Sequence, residues 1–390
     1  MTSARSTAVA RPTTLASQGR GLVLAFLVLI SLPALVGLGS QDARDRERAG
    51  EPPVRPPSLT HAGGVGPYLR EIQAYLRATF GLRQTLIHWD ARLKRALGLS
   101  ESYGSAVTHG RDGWLFYRVH RGRQGVRPEV PFTPEELDRW VRTFTAQHRQ
   151  ATELGIRYLL VVAPDKETIY PDLLPAGLPP PEPVSRLDVL AARLRAEGVP
   201  LVDLRPALRE ARGGSSPFSR WPLYHRTDDH WNELGALLAA RPLLAELRAR
   251  FPGVRVPLDD EVEVTTQATA GGDLARMEGV QEISTELQVR ARARSLACVF
   301  DPFGGPKPTG PEVPLQAAQV LECTGAPIRR GLILHDSMMV AMLPVLAPVF
   351  QRSVWRLTPV LDQGLLAAER PDVVVVELVE RTLWEGLPGW

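Results

Sequence analysis

Short unbroken apolar runs alternate with amphipathic stretches over most of this chain. Tyr158–Ala163 (YLLVVA), Val199–Leu204, Gly331–Leu334, Ser353–Leu357 and Asp372–Glu377 (DVVVVE) read as strands covered on both faces. Helical patterns lie between them. Thr133–Leu154 begins with a threonine cap, Pro134 at the first helical position, and Glu135 and Glu136 at the positive end of the helix dipole. Residues 184–197 and Glu233–Arg248 are further helices, the second capped by Asn232, and another starts at Met338. This alternation predicts an α/β domain with a mostly parallel sheet flanked by helices. Such sheets bind ligands at the carboxyl ends of their strands.

Three segments depart from that rhythm. Residues 66–98 carry two amphipathic helices, with Tyr68, Ile72, Tyr75 and Leu76 on the first and Leu86, Ile87, Leu93 and Leu97 on the second, after Gly81. Gly110–Tyr117 (GRDGWLFY) pairs a tight Asp112-Gly113 turn with an aromatic strand that packs Trp114 and Phe116 into a core. Residues 251–330 are rich in Thr, Gly and Arg with weak periodicity, and are expected to be an irregular insertion over the sheet. No period of 20–50 residues recurs, which excludes a solenoid.

The run Gly21–Gly39 has no charge and as a helix is about 28 Å long, close to the hydrocarbon thickness of a bilayer. Arginines precede it and the acid-rich Gln41–Glu51 follows, so the positive-inside rule puts the remainder of the chain outside the cytoplasm. The expected organisation is a cytoplasmic tail (1–20), a transmembrane anchor (21–40), a Pro/Gly-rich linker (41–64) and a folded domain (65–390). A cleaved signal peptide is the alternative. The apolar core is longer than a signal h-region and lacks a small-x-small cleavage site, which favours the anchor.

Composition narrows the function. The chain has 390 residues, 44% hydrophobic and 23% charged, as a globular protein does. Its net charge of +3 equals the contribution of Arg5, Arg11 and Arg20; the rest holds 43 basic and 43 acidic side chains. That balance argues against a nucleic-acid binder, which needs a clustered positive surface. Only Lys94, Lys166 and Lys307 are lysines, a coding bias that leaves an arginine surface. Cys298 and Cys323 fall in the exported part, where an oxidising compartment permits a disulfide between them, and no zinc-type CxxC pair is present.

Two blocks carry chemistry: Arg226–Ala236 (RTDDHWNELGA) and Leu332–Met339 (LILHDSMM). Ser337 stands two residues beyond an apolar strand, at the start of a helix, which exposes a hydroxyl at the sheet edge near backbone N–H groups. A serine is a weak nucleophile until a base takes its proton. His230 is that candidate base, and Asp228 is the acid that fixes its tautomer, preferred over Asp229 by the D-x-H spacing. Ser337 as an ordinary helix cap is the plain alternative. His225, Asp228, His230 and His335 as zinc ligands are another, although their spacing matches no standard zinc signature.

These residues resemble the membrane-anchored, SGNH-hydrolase-like, DHHW-type proteins of alginate O-acetylation. The resemblance rests on FGLRQTLI, GRDGWLFY, APDKETIYPDLLP (163–175), TDDHWNELGA and LILHDSMM, in that order. It implies an SGNH-hydrolase-like fold with permuted motif order, the Asp-x-His block preceding the serine. It implies Ser337 as nucleophile, His230 as base and Asp228 as orienting acid, moving acetyl groups onto exopolysaccharide hydroxyls without cofactor or metal. It also implies a single-pass inner-membrane protein with its domain in the periplasm, supplied by a multispanning membrane acyltransferase. His335 stands where the family usually has glycine, and the oxyanion donors reduce to the Ser337 N–H and a second, unassigned group. Lys166, Trp231 and Arg381 are candidate sugar contacts. A carbohydrate acetyl esterase and a non-catalytic polysaccharide-binding or assembly subunit are the rival functions.

Overall fold

A computed structural model describes residues 68, 106–118, 131–176, 184–296 and 319–387. The elements below belong to one unit, Asp90–Thr309 with Leu315–Trp390. The expected tail, anchor and linker, the helices of 66–98 apart from Tyr68, and Cys298 lie outside the described residues. Among the described residues no helix is long and apolar enough to cross a membrane, and no cysteine is free.

Strands β1 (Val107–His109) and β2 (Leu115–Tyr117) form the expected hairpin. Asp112 (φ 54°) and Gly113 (φ 76°) turn it in the left-handed region that Asp and Gly tolerate best. Trp114 and Phe116 are buried. Helix α1 (Pro134–Glu153) starts in a capping box: Thr133 Oγ1 accepts from Glu136 N at 3.2 Å, and the Glu136 carboxylate accepts from Thr133 N at 3.0 Å.

There follow β3 (Arg157–Ala163), α2 (Lys166–Ile169), α3 (Arg186–Ala196), β4 (Leu201–Asp203), α4 (Arg205–Arg212) and α5 (Glu233–Arg250). Then come β5 (Val262–Ala270), α6 (Asp273–Met277), β6 (Thr285–Ala293), β7 (Gln319–Glu322) and β8 (Ile328–His335). The last are α7 (Leu343–Leu346), β9 (Phe350–Leu357), α8 (Gln363–Glu369), β10 (Val373–Val379) and α9 (Thr382–Glu385).

One six-stranded sheet runs β4-β3-β10-β8-β9-β7, parallel throughout except for β7, which pairs antiparallel with β9 at one edge. Alternate residues feed two cores. Leu159, Val161, Ile333, Val373 and Val375 pack with α4 and α5 side chains, while Tyr158, Leu160, Val162, Leu332, Leu334, Val374 and Val376 pack with α1 and α3. Each fully buried valine or leucine contributes about 1.5–3 kcal/mol, so this two-sided burial explains why the strands read as continuous apolar runs.

The expectation of an irregular insertion is corrected in part. Strands β5 and β6 form a regular nine-residue antiparallel ladder from Val262↔Ala293 to Ala270↔Thr285. Val289 and Ala293 face the core, and Ala291 N donates to the Glu233 carboxylate of α5 at 3.2 Å. Its alternation is faint in the sequence because alanine and threonine, rather than large apolar side chains, fill the ladder. The segment after Ser337 also differs: it is a 3-10 turn over Met338–Met342 before the short α7.

Candidate active site

β8 ends at His335 on the carboxyl edge of the sheet, next to the end of β10. Asp336 ties the two together. Its Oδ1 accepts from Met338 N at 2.8 Å and its Oδ2 from Val379 N at 2.7 Å, while its own N–H donates to the Glu377 carboxylate at 3.1 Å. Asp336 therefore caps the turn, and Ser337 (φ −66°, ψ −23°) has no capping bond of its own. Its exposed side chain instead meets His230, with Oγ 2.9 Å from Nε2.

His230 sits in a loop closed by a Tyr224↔Trp231 bridge and by His225 N donating to His230 O at 3.1 Å. Asp228 Oδ1 lies 2.7 Å from His230 Nδ1 and also accepts from His230 N at 3.0 Å. Asp228 Oδ2 accepts from Asp273 N at 2.9 Å. A chain of hydrogen bonds thus joins Ser337, His230 and Asp228, residues from two distant segments.

The loop is fixed from several sides. Glu286 of β6 accepts from Arg226 N at 2.9 Å, Thr227 N at 2.6 Å and Thr227 Oγ1 at 2.5 Å. Asn232 caps α5 through Gly235 N at 3.0 Å and donates to Pro222 O at 2.7 Å. The Trp231 indole donates to Met338 O at 2.8 Å, which braces the histidine loop against the serine turn.

Burial by itself would raise the Asp228 carboxyl, but the hydrogen bonds from His230 and the Asp273 N–H, with the His230 charge, hold it well below the usual carboxylate range. Burial by itself would lower the His230 imidazole; its hydrogen bond to Asp228 and the charges of Asp228, Asp229 and Asp273 raise it instead. Burial and the nearby Asp228 push the Asp273 carboxyl up to about 6. Burial, against the pull of the Asp336 backbone and charge, lowers the His335 imidazole. The site therefore holds an anionic Asp228 beside an imidazole primed to accept a proton.

The three expected sugar contacts are placed differently. Lys166 has no exposed surface; its ammonium donates to Leu115 O (2.6 Å), Arg226 O (2.9 Å) and Asp228 O (3.0 Å). It also lies over the Trp114 and Phe116 rings at 4.8 and 5.2 Å. Burial pushes its pKa down to about 8, so at neutral pH three N–H donors still meet three carbonyls. Trp231 is 1% exposed and its indole N–H is used as above. Arg381 pairs with Asp165 and Asp229, at 2.7 Å each, and stacks 5.4 Å from the Tyr117 ring. Lys166 and Trp231, candidate sugar contacts in the sequence, are instead buried supports with their donors used inside the fold, and Arg381 spends its guanidinium on two carboxylates.

Asp229 is buried against Arg381. Replacing Lys166 by methionine would strand three carbonyls; Lys166→Met is expected to cost about 2–4 kcal/mol and lower the melting temperature in a thermal unfolding scan.

Sequence reasoning missed Gly272 and Asp273. Gly272 N donates to Thr227 Oγ1 at 2.9 Å, and a Cβ there would lie 2.3 Å from Asp228 Cβ. The Gly-Gly-Asp run at 271–273 was the available signal. The zinc set is corrected too. Among the described residues the ligand-type atoms that gather within 4.8 Å are those of Asp228, His230 and Asp273, while His335 Nδ1 bonds Asp336 O at 2.7 Å and its ring packs edge-on against Trp355. Asp228 Oδ1 and His230 Nδ1 face each other as hydrogen-bond partners.

A parallel sheet with helices on both faces and a Ser-His-Asp cluster at its carboxyl edge defines an SGNH hydrolase-like α/β domain. Bacillus cereus PatB1 shares the fold, with a TM-score of 0.52 at 14% identity over 71% of this chain and 96% of that one. The O-acetyltransferase domain of Pseudomonas putida AlgJ aligns with a TM-score of 0.43 at 18% identity, over 71% of this chain and 92% of that one. Residues 107–298 match a family described as "SGNH hydrolase-like domain, acetyltransferase AlgX". The "Probable alginate O-acetylase AlgJ" of Pseudomonas aeruginosa is 31% identical over 185 residues, 47% of this chain and 44% of its own length. The chain thus spans less than half the length of that curated relative, and the matched part is similar to the SGNH hydrolase-like acetyltransferases described by that family.

Proposed function

We propose that the protein is an extracytoplasmic O-acetyltransferase that moves acetyl groups onto polysaccharide hydroxyls through an acetyl-serine. The unbroken hydrogen-bond chain Ser337–His230–Asp228 carries this reading. His230 Nε2 takes the Ser337 proton as Oγ attacks the donor's acetyl carbonyl, and Asp228 stabilises the imidazolium. The Ser337 N–H, at the head of the 3-10 turn, serves as a backbone donor to the oxyanion in this reading. Collapse expels the donor's leaving group, protonated by His230, and leaves acetyl-Ser337. A sugar hydroxyl then loses its proton to His230 and attacks the acetyl group, restoring the serine. Alginate is the polymer in the name of the Pseudomonas aeruginosa relative, and an acidic or neutral exopolysaccharide is the acceptor class here. The apolar run 21–39 as an anchor, a periplasmic domain and a multispanning membrane acyltransferase as acetyl supplier complete the proposal.

The deciding experiment incubates the protein with an activated acetyl ester and a polysaccharide oligomer, with a fluorophosphonate label on a parallel sample. Acetylated sugar and labelled Ser337 are expected. Acetate release with no acetylated sugar identifies an esterase; a folded protein whose Ser337 never labels is a binding or assembly subunit.

The reaction needs neutral His230. Its raised pKa means that the imidazole stays protonated to higher pH than usual, so activity is gained as pH rises through that value. The acid limb of kcat/KM is expected above pH 6.5, the ordinary imidazole value.

A further inference from the structure

Asp228 is one of two carboxylates at the His230 ring. Asp273 Oδ2 lies 3.7 Å from His230 Nδ1, on the atom that faces Asp228. The backbone of the same residue donates to Asp228 Oδ2 at 2.9 Å, and its Oδ1 accepts from Asp229 N at 2.9 Å. Asp273 thus touches every member of the 228–230 block: the acid through its N–H, the next residue through one carboxylate oxygen and the imidazole's field through the other. It opens α6, with Gly272 immediately before it packed so close to Asp228 that no side chain fits there. The Gly271-Gly272-Asp273 loop comes from the segment between α5 and β8, outside the sheet.

We infer that Asp273 is a positioning residue for the acetyl-transfer site: its N–H fixes the Asp228 carboxylate, and its own carboxylate adds a second negative charge that stabilises the His230 imidazolium. The inference rests on the proposed role of His230 as base. The charge is close and only partly solvated, with the Asp273 side chain 24% exposed, so it is weakly screened. Other charged or titratable groups surround His230. Asp228 and Asp229 flank it in its own loop, and both charges favour the imidazolium, with Asp229 also paired to Arg381 from beyond β10. His225 stands across the loop, Lys166 bonds the loop carbonyls from α2, and Glu286 holds the loop from β6. Tyr117 of β2 carries Arg381 over its ring and feels the charges of Glu385, Asp229 and Asp273. Among the described residues, Asp228 and Asp273 are the carboxylates within 4 Å of the His230 ring.

The test is Asp273→Asn, which keeps the backbone N–H and an amide oxygen for Asp229 N while removing the charge. Asp273→Ser is the second variant. His230 titration is followed by NMR of ring-labelled histidine, alongside the pH profile of acetyl transfer. The His230 midpoint and the acid limb are expected to fall together by about one unit, which corresponds to about tenfold less imidazolium stabilisation and a similar loss in kcat/KM above the limb. A merely structural role would lower activity or stability without moving the midpoint. An unchanged His230 midpoint in a folded variant overturns the inference. The NMR readout does not depend on turnover. If Ser337→Ala retained acetyl transfer, the catalytic reading would fail while a shifted His230 midpoint would still establish the electrostatic role.

Discussion

Ser337→Ala abolishes acetyl transfer, with a loss of about 10⁴-fold or more in kcat expected for removal of a nucleophile from an interdependent triad. The fold is expected to survive. The side chain is exposed, and the turn it heads is capped by Asp336 rather than by its own hydroxyl. Removing it therefore costs one exposed hydrogen bond, within about 0.5 kcal/mol of wild-type stability. The measurement is single-turnover acetylation of the protein by an activated ester, followed by mass spectrometry of the peptide containing residue 337. Persistent acetylation at wild-type rate in the alanine variant would refute the serine mechanism.

Asp228→Asn should be nearly as damaging, by about 10⁴-fold, for a different reason. The amide fits the same space and still offers an oxygen to Asp273 N. Toward His230 Nδ1, however, it presents either a neutral acceptor or an N–H donor. A donor there holds the proton on Nε2, so that the ring gives a hydrogen bond to Ser337 when it should receive one. The lost charge also removes the main support of the imidazolium, so the surviving activity should have its acid limb at lower pH than the wild type. Wild-type rate and pH profile in this variant would mean that the acid is supplied elsewhere. Asp229→Asn serves as the contrast. It leaves the Asp228–His230 bond in place but breaks the Arg381 pair and removes one of the charges that raise the imidazole, so it is expected to lower stability and to move the acid limb down less than Asp228→Asn does.

The elements of the fold are largely legible in the chain because each depends on neighbours a few residues apart. The capping box at Thr133 and Glu136, the left-handed turn at Asp112-Gly113, and the Asn232 cap on α5 are local events written in adjacent residues. The all-buried β10 is equally plain, since a parallel strand covered on both sides needs apolar residues at every position. The β5–β6 ladder escaped notice because small and hydroxylated side chains blur a two-residue period. The charged side chains misled for a related reason. A lysine just beyond a strand looks like a ligand contact until three carbonyls from two other segments are found around it.

The sequence by itself determined that this chain forms a helix-covered parallel sheet and that a D-x-H block and a strand-end serine are its chemical candidates. Periodicity and short spacings report those things without knowledge of the partner. Only the tertiary structure decided that His230 meets Ser337 across 107 residues, that Asp273 reaches Asp228 from 45 residues away, and that Arg381 spends its charge on Asp165, 216 residues earlier. Contacts of that range follow from which loops the sheet order brings to one edge, a property of packing that leaves no periodic trace in the residues it joins.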